Sequence, residues 1–137
     1  MKFRFSPVLS LLDTKGRMVR RPILILELKT KDGDMRAVPA LLDSGADRTQ
    51  VNFEYADILG IELNQRQDSV GIGNGQVEGY VATLPLKIQN TNIEMEVPAT
   101  FIKSRTIDIL LGRESFFEAF KIIFESKNDT FELIKAK

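Results

Sequence analysis

The sequence predicts an all-β fold, a closed barrel or a sandwich, carrying one or two short helices. Three observations predict it. Short apolar runs alternate with turn signals along the chain, the pattern of an all-β protein. Branched residues are concentrated in those runs, as half-buried strands require. Roughly nine strands can be counted against two short helical stretches, so strands must build the core.

The elements follow in order. Met1 to Asp13 (MKFRFSPVLSLLD) resembles a signal peptide only weakly. Its apolar part is short, is interrupted by Pro7 and lacks a clear small-residue cleavage site. Residues 1–21 are read as an N-terminal extension or an interface strand, and residues 22–137 as one domain. Arg21 to Thr30 (RPILILELKT) reads as a strand, Lys31-Asp32-Gly33-Asp34 as a turn, and Met35 to Leu42 (MRAVPALL) as a second strand. Pro39 places that second strand at an edge or an irregular position. Thr49 to Asn52 extends this region. Asn52 is suited to cap a short helix over Phe53 to Leu59, and Gly60 to stop it. Tyr55, Ile58 and Leu59 are its expected buried face.

Gln67 to Gln89 reads as two extended arms joined at Gly71-Ile72-Gly73-Asn74-Gly75, where Asn-Gly is the strongest short hairpin signal. Asn90-Thr91-Asn92 is the next turn, and Ile93 to Phe101 alternates apolar and polar residues. Ile107 to Leu111 (IDILL) is a short buried strand ended by Gly112. Arg113 to Ala119 can form one or two helical turns. Phe120 to Phe124 and Thr130 to Ile134 form a closing hairpin around residues 126–129. Phe116, Phe117 and Phe120 are expected in the core.

Composition restricts the chemistry. The chain has 137 residues, 43% of them hydrophobic, enough for one modest core. It contains 19 Lys and Arg and 19 Asp and Glu. The resulting zero net charge argues against duplex nucleic acid as a partner, since displacing counterions takes a cationic surplus. Cysteine and histidine are both absent. That rules out disulfides, thiolate nucleophiles, Ser–His and Cys–His catalysis, and His- or Cys-ligated metal. Acid–base work must fall to carboxylates, Lys or Tyr. No stretch approaches the roughly 18 apolar residues that span a bilayer. The expectation is a soluble cytoplasmic protein with no metal, no cofactor and no membrane partner.

One constellation carries chemistry. In Ala40-Leu41-Leu42-Asp43-Ser44-Gly45-Ala46-Asp47 an apolar strand runs straight into a carboxylate, a hydroxyl and a glycine. Such a strand holds an acid at the base of a cleft, Ser44 can lock the loop, and Gly45 allows a tight turn and leaves space. By itself the same string reads equally well as an ordinary turn. Well downstream stands Ile107-Asp108-Ile109-Leu110-Leu111-Gly112-Arg113-Glu114, with the glycine-rich hairpin between the two.

Acid loop, hairpin and hydrophobic-hydrophobic-Gly-Arg element, in that order, resemble the retropepsins, the retroviral proteases and their cellular relatives. The resemblance runs roughly from Pro22 to Leu133. It implies a closed β-barrel forming half of an acid protease, and an aspartic endopeptidase acting on peptide or protein substrates. It implies Asp43 as the catalytic acid, paired across a two-fold axis with Asp43 of a second copy. Two carboxylates about 3 Å apart share one proton, aspartic proteases being the known instance. The chain has a single Asp-Ser-Gly, since Asp57, Asp68 and Asp108 lack the following Ser-Gly, so a homodimer is required. Ser44 would bond across to the partner loop and Gly45 would contact substrate. Ala46, Asp47, Gly71, Ile72 and Gly73 would bind substrate, the last three from a mobile flap over Val70 to Tyr80. Gly112 and Arg113 would support the site, with a partly buried Asp47–Arg113 ion pair.

Asp47 stands where many cellular relatives carry Thr or Ser, Arg48 follows it, and Asn74 replaces a frequent flap glycine. These departures bear on specificity. Two competing readings remain: a retropepsin-fold dimerisation or peptide-binding module without significant turnover, and an unrelated β-barrel whose acid loop is a plain turn. A binding module has no need of an intact Asp43-Ser44-Gly45.

Overall fold

Alternation of apolar residues builds the core strand by strand. Leu24, Leu26 and Leu28 point inward from one strand, Val38, Ala40 and Leu42 from the next, and Leu84, Leu86 and Ile88 from a third. Val97, Ala99 and Phe101 complete the series from a fourth. Successive strand side chains face opposite ways, so this period of two buries one face and leaves the other outside. The computed structural model describes residues 1–63, 65–72, 75–103 and 108–137, and side chains outside 64–77 and 104–107.

The described strands are β1 (Lys2–Arg4), β2 (Ser6–Leu12), β3 (Met18–Arg21), β4 (Ile23–Lys29), β5 (Met35–Leu42) and β6 (Thr49–Asn52). After helix α1 (Glu54–Leu59) come β7 (Gln65–Ile72), β8 (Gly75–Ile88), β9 (Glu94–Ile102), β10 (Ile109–Leu111), β11 (Phe120–Glu125) and β12 (Thr130–Lys135). The order β4-β5-β10-β6-β9-β8 closes into a six-stranded barrel through β4–β8 pairing at Leu26↔Ile88 and Glu27↔Lys87. The all-β barrel expected from the sequence is the fold observed.

β7 extends the sheet as an antiparallel hairpin with β8, Gly71 facing Gln76 and Ile72 facing Gly75. β8 pairs with β9 only as far as Gly79↔Ile102, so the hairpin continues past the end of β9. Gly73 and Asn74 lie outside the described residues, as does Ile107.

A second sheet, β1-β12-β11, joins the chain's two ends. Phe3 stacks on Phe131 at 5.1 Å, and Phe5 and Phe124 lean on the same ring. The Phe116 ring lies 5.1 Å from that of Phe120 and both are buried. Phe117 is half-buried against the same cluster. β2 and β3 form a separate two-stranded hairpin.

Three expectations need correction. Pro39 is not on an edge strand: β5 lies between β4 and β10. It is tolerated because β10 pairs only with Ala40 to Leu42, leaving that side of Pro39 without a strand. α1 starts at Glu54, whose amide donates to Asn52 Oδ1 at 3.1 Å, and its buried residue is Ala56, while Tyr55, Ile58 and Leu59 are half-buried. Gly60 does stop the helix, at φ 69°. Arg113 to Phe117 is a kinked turn rather than a regular helix, because Ser115 sits at φ 66° with its amide held by Glu118 Oε1.

Leu26 is fully buried on β4, where that strand closes the barrel. Leu26→Ala is expected to lower unfolding free energy by about 2–5 kcal/mol, measured by denaturant titration.

Candidate active site

The loop that carries Asp43 is forced over the top of a strand. β10 lies between β5, to which it is parallel, and β6, to which it is antiparallel. The chain leaving β5 at Leu42 must therefore cross the end of β10 to enter β6 at Thr49. Residues 43–48 make that crossing.

Backbone bonds fix it at each step. Asp43 N donates to Leu111 O at 3.0 Å, continuing the β5–β10 ladder by one bond. Ala46 N donates to Asp43 O at 3.2 Å and closes the turn. Arg113 N donates to Ala46 O at 2.8 Å, and Glu114 N to Asp47 O at 2.9 Å. Between these, the Gly112 amide donates to Thr49 Oγ1 at 3.2 Å in a buried position.

Gly112 has no room for a side chain. A Cβ there would fall 2.5 Å from both the carbonyl carbon and oxygen of Arg48, and 2.9 Å from Ala46 O. Gly112 has an extended backbone, so the close approach of the loop is what requires glycine. Gly45 is likewise not left-handed. Its Cβ would meet Asp43 Oδ1 at 3.2 Å, so glycine there leaves space for the carboxylate.

Asp43 is half-buried and its Oδ1 accepts the Gly45 amide at 2.9 Å. One carboxylate oxygen is thus oriented by the loop's own backbone. Ser44 and Gly45 are exposed and Ala46 is half-buried. Arg113 and Asp47 form the expected ion pair through Nη2 and Oδ1. It is not partly buried in the single chain: the Asp47 side chain is 87% exposed and that of Arg113 58%. Arg48 Nε lies 3.3 Å from Glu114 Oε2, a second pair crossing the same gap.

The structure thus brings Asp43 to Asp47 together with Gly112 and Arg113. Gly71 and Ile72 lie on β7, whose side chains are outside the description, as is all of Gly73. Sequence reading missed Thr49 and the pair Tyr55–Asp108. Tyr55 OH donates to Asp108 Oδ1 at 2.8 Å, and Asn52 N donates to Asp108 O at 2.8 Å, so α1 and β6 together hold the start of β10. Burial pushes the Tyr55 phenol up to about 12, helped by the Asp108 carboxylate that accepts its proton. No local pattern marks these contacts, since they join residues 53 to 63 positions apart.

A family model described as gag-polyprotein putative aspartyl protease matches residues 32–118. No curated protein matches the chain. Among solved structures, a retropepsin-like aspartic protease from Rickettsia conorii is similar at 16% identity, with 98% of each chain covered and a TM-score of 0.61. The retroviral protease-like domain of Ddi1 from Leishmania major is similar at 16% identity, with 84% of this chain and 89% of that one covered and a TM-score of 0.58. These likenesses show a retropepsin-like fold.

Gly112→Ala is expected to cost about 1–3 kcal/mol by forcing the loop off β10. Thr49→Val should cost a similar amount by orphaning the buried Gly112 amide. Thermal or denaturant unfolding measures both. The raised Tyr55 phenol gives alkaline linkage of known sign. Its contribution to stability is complete below pH 10, the ordinary value, and is lost as pH climbs towards about 12. In a Tyr80→Phe background the phenolate absorbance of Tyr55 should appear near pH 12, and Asp108→Asn should bring it lower.

Proposed function

We propose, from the premise that this chain belongs to the gag-polyprotein aspartyl protease family, that it is an aspartic endopeptidase active as a homodimer. The observation that carries the reading is Asp43 at the mouth of β5. It is half-exposed, with one oxygen oriented by the Gly45 amide and the rest of its loop clamped by β10. The chain has one such loop, and an aspartic dyad needs two equivalent acids. A second copy placed by a two-fold axis supplies the other, because a two-fold interface presents the same loop from both sides.

The chemistry then needs nothing the sequence lacks. Two Asp43 carboxylates in close apposition cannot both ionise cheaply, so the pair holds one proton. The ionised member takes a proton from a water molecule, whose oxygen attacks the carbonyl carbon of a peptide bond. The protonated member donates to the carbonyl oxygen. The tetrahedral species collapses as the amide nitrogen gains a proton and leaves, and the pair ends with its single proton restored. No covalent intermediate forms, which suits a chain without Cys or His.

Other residues have supporting parts in this reading. The exposed Ser44 hydroxyl reaches towards the partner loop. Gly45 and Ala46 offer backbone groups to an extended peptide. Asp47 and Arg113 carry charge at the edge of the cleft, and the β7–β8 hairpin closes over the substrate.

Cleavage of a peptide library is expected, with Asp43→Asn lowering kcat/KM by about 10²–10⁴-fold or more while the fold persists. Turnover that survives this substitution would sink the assignment. A bell-shaped kcat/KM profile is expected, since activity requires one proton on the pair: it falls when both acids are protonated and again when both are ionised. Its two limbs belong to the dyad jointly. A dimer that binds peptides without cutting them would favour the binding-module reading.

A further inference from the structure

The β2–β3 hairpin is paired into neither other sheet, although it lines grooves with Leu41 and Ile109 and with Ser126 and Asp129 of its own chain, and it presents an unusual surface. It pairs with no other described strand. Leu9 is 81% exposed and Leu12 63%, and Leu11 and Met18 are also exposed. A two-stranded ribbon with leucines in water is marginal on its own, and clustered exposed apolar side chains mark a surface meant to be covered.

Charge says what covers it. Residues 6–21 hold four basic residues, Lys15, Arg17, Arg20 and Arg21, and one acid, Asp13. The rest of the chain, residues 1–5 and 22–137, holds 15 basic and 18 acidic residues, a net charge of −3 against +3 on the hairpin. The zero net charge of the chain therefore conceals a cationic, leucine-bearing hairpin attached to an anionic body. A surface of matching chemistry is available on every other copy of the same chain.

The hairpin's root lies at the end of the barrel where Asp43 sits. Pro22, directly after β3, accepts the Leu42 amide at 3.0 Å, one residue before Asp43. Ile23 pairs with Leu41. Pro7, Val8 and Arg21 of the hairpin share a groove with Leu41, Asp108 and Ile109. A second copy bringing its own Asp43 to this end arrives beside the hairpin. β2 has seven residues, a reach of roughly 23 Å at strand spacing, enough to extend over a neighbour.

We infer that the β2–β3 hairpin is an arm that docks on a second copy of this chain, its leucines covered by that copy and its basic residues set against that copy's acidic body. The inference rests on the dyad reading for the position of the second copy, and it names a segment that the acid loop alone does not require.

Sedimentation across a concentration series tests it, on the full chain and on Leu9→Asp/Leu12→Asp and Arg20→Glu/Arg21→Glu, which leave the Arg17–Asp13 pair of the hairpin turn intact. These side chains are exposed, so the variants should retain the native circular dichroism and melting behaviour. Each is expected to raise the dimer dissociation constant tenfold or more, and added salt should weaken the wild-type dimer but leave the arginine variant less affected. Peptide cleavage by either variant should fall at low protein concentration and recover at high concentration. Dissociation constants within twofold of wild type would overturn the arm, as would a wild-type chain that stays monomeric and instead binds heparin through these arginines. Sedimentation reads the arm independently of turnover. A dimer weakened by the variants but unable to cut peptide counts against the dyad alone, whereas an active dimer indifferent to them counts against the arm alone.

Discussion

The backbone of the Asp43 loop passes so close over Gly112 that no side chain fits between them, and the candidate site is arranged around that crossing. β10 is wedged between β5 and β6, so the connection between those two strands has to bridge it. The bridge is short, residues 43–48, and beyond the two bonds that close its own turn it is tied to the strand beneath and to the turn that follows. Asp43 is consequently positioned from two directions, its carboxylate by the Gly45 amide of its own loop and its backbone by β10. The contacts of β10 and the turn after it come from residues 111–114, far along the chain, so the site exists only once these distant segments are brought together.

The bonds at the crossing are unequal. The Gly112–Thr49 bond is buried, and a buried amide without its partner loses its full hydration. The Asp47–Arg113 pair is conspicuous in the sequence but lies largely in water in one chain, where such pairs contribute about 0–1 kcal/mol. The loop is therefore held by backbone geometry and one threonine, and the exposed Asp47–Arg113 pair lies at the edge of the cleft, beside the half-buried Arg48–Glu114 pair. A second copy or a bound peptide would remove water from them and raise their worth.

Much of this was legible in the sequence where it is local. Met35–Leu42 was read with its observed bounds, because its apolar run is delimited by a turn and an acid. The Asn90 turn and the β11–β12 hairpin were legible for the same reason. What stayed hidden depends on partners far away. Pro39 signalled an edge or an irregular position, and which of the two holds was hidden: its strand is internal, but β10 is only three residues long and stops short of it. The kink at Ser115 follows from a bond to Glu118, and the Tyr55–Asp108 link joins two residues that each looked ordinary. The role of Gly112 was sensed only through resemblance; its cause, the backbone of Arg48, appears only in three dimensions.

The N-terminal segment was the least legible part, and its physics differs from that of the barrel. β1 is tied to β12 by aromatic stacking, while the next two strands pair only with each other among the described strands and expose their leucines. In the proposed dimer, like charges would repel between two such arms and between two acidic bodies, and each arm would attract the other copy's body. The arrangement that satisfies both attractions at once is reciprocal, each copy giving and receiving the same contact, which is the definition of a two-fold assembly. That symmetry is the one a single acid loop per chain calls for. Charge segregation and the count of acid loops are independent properties of the sequence, and the proposed two-fold dimer would use both.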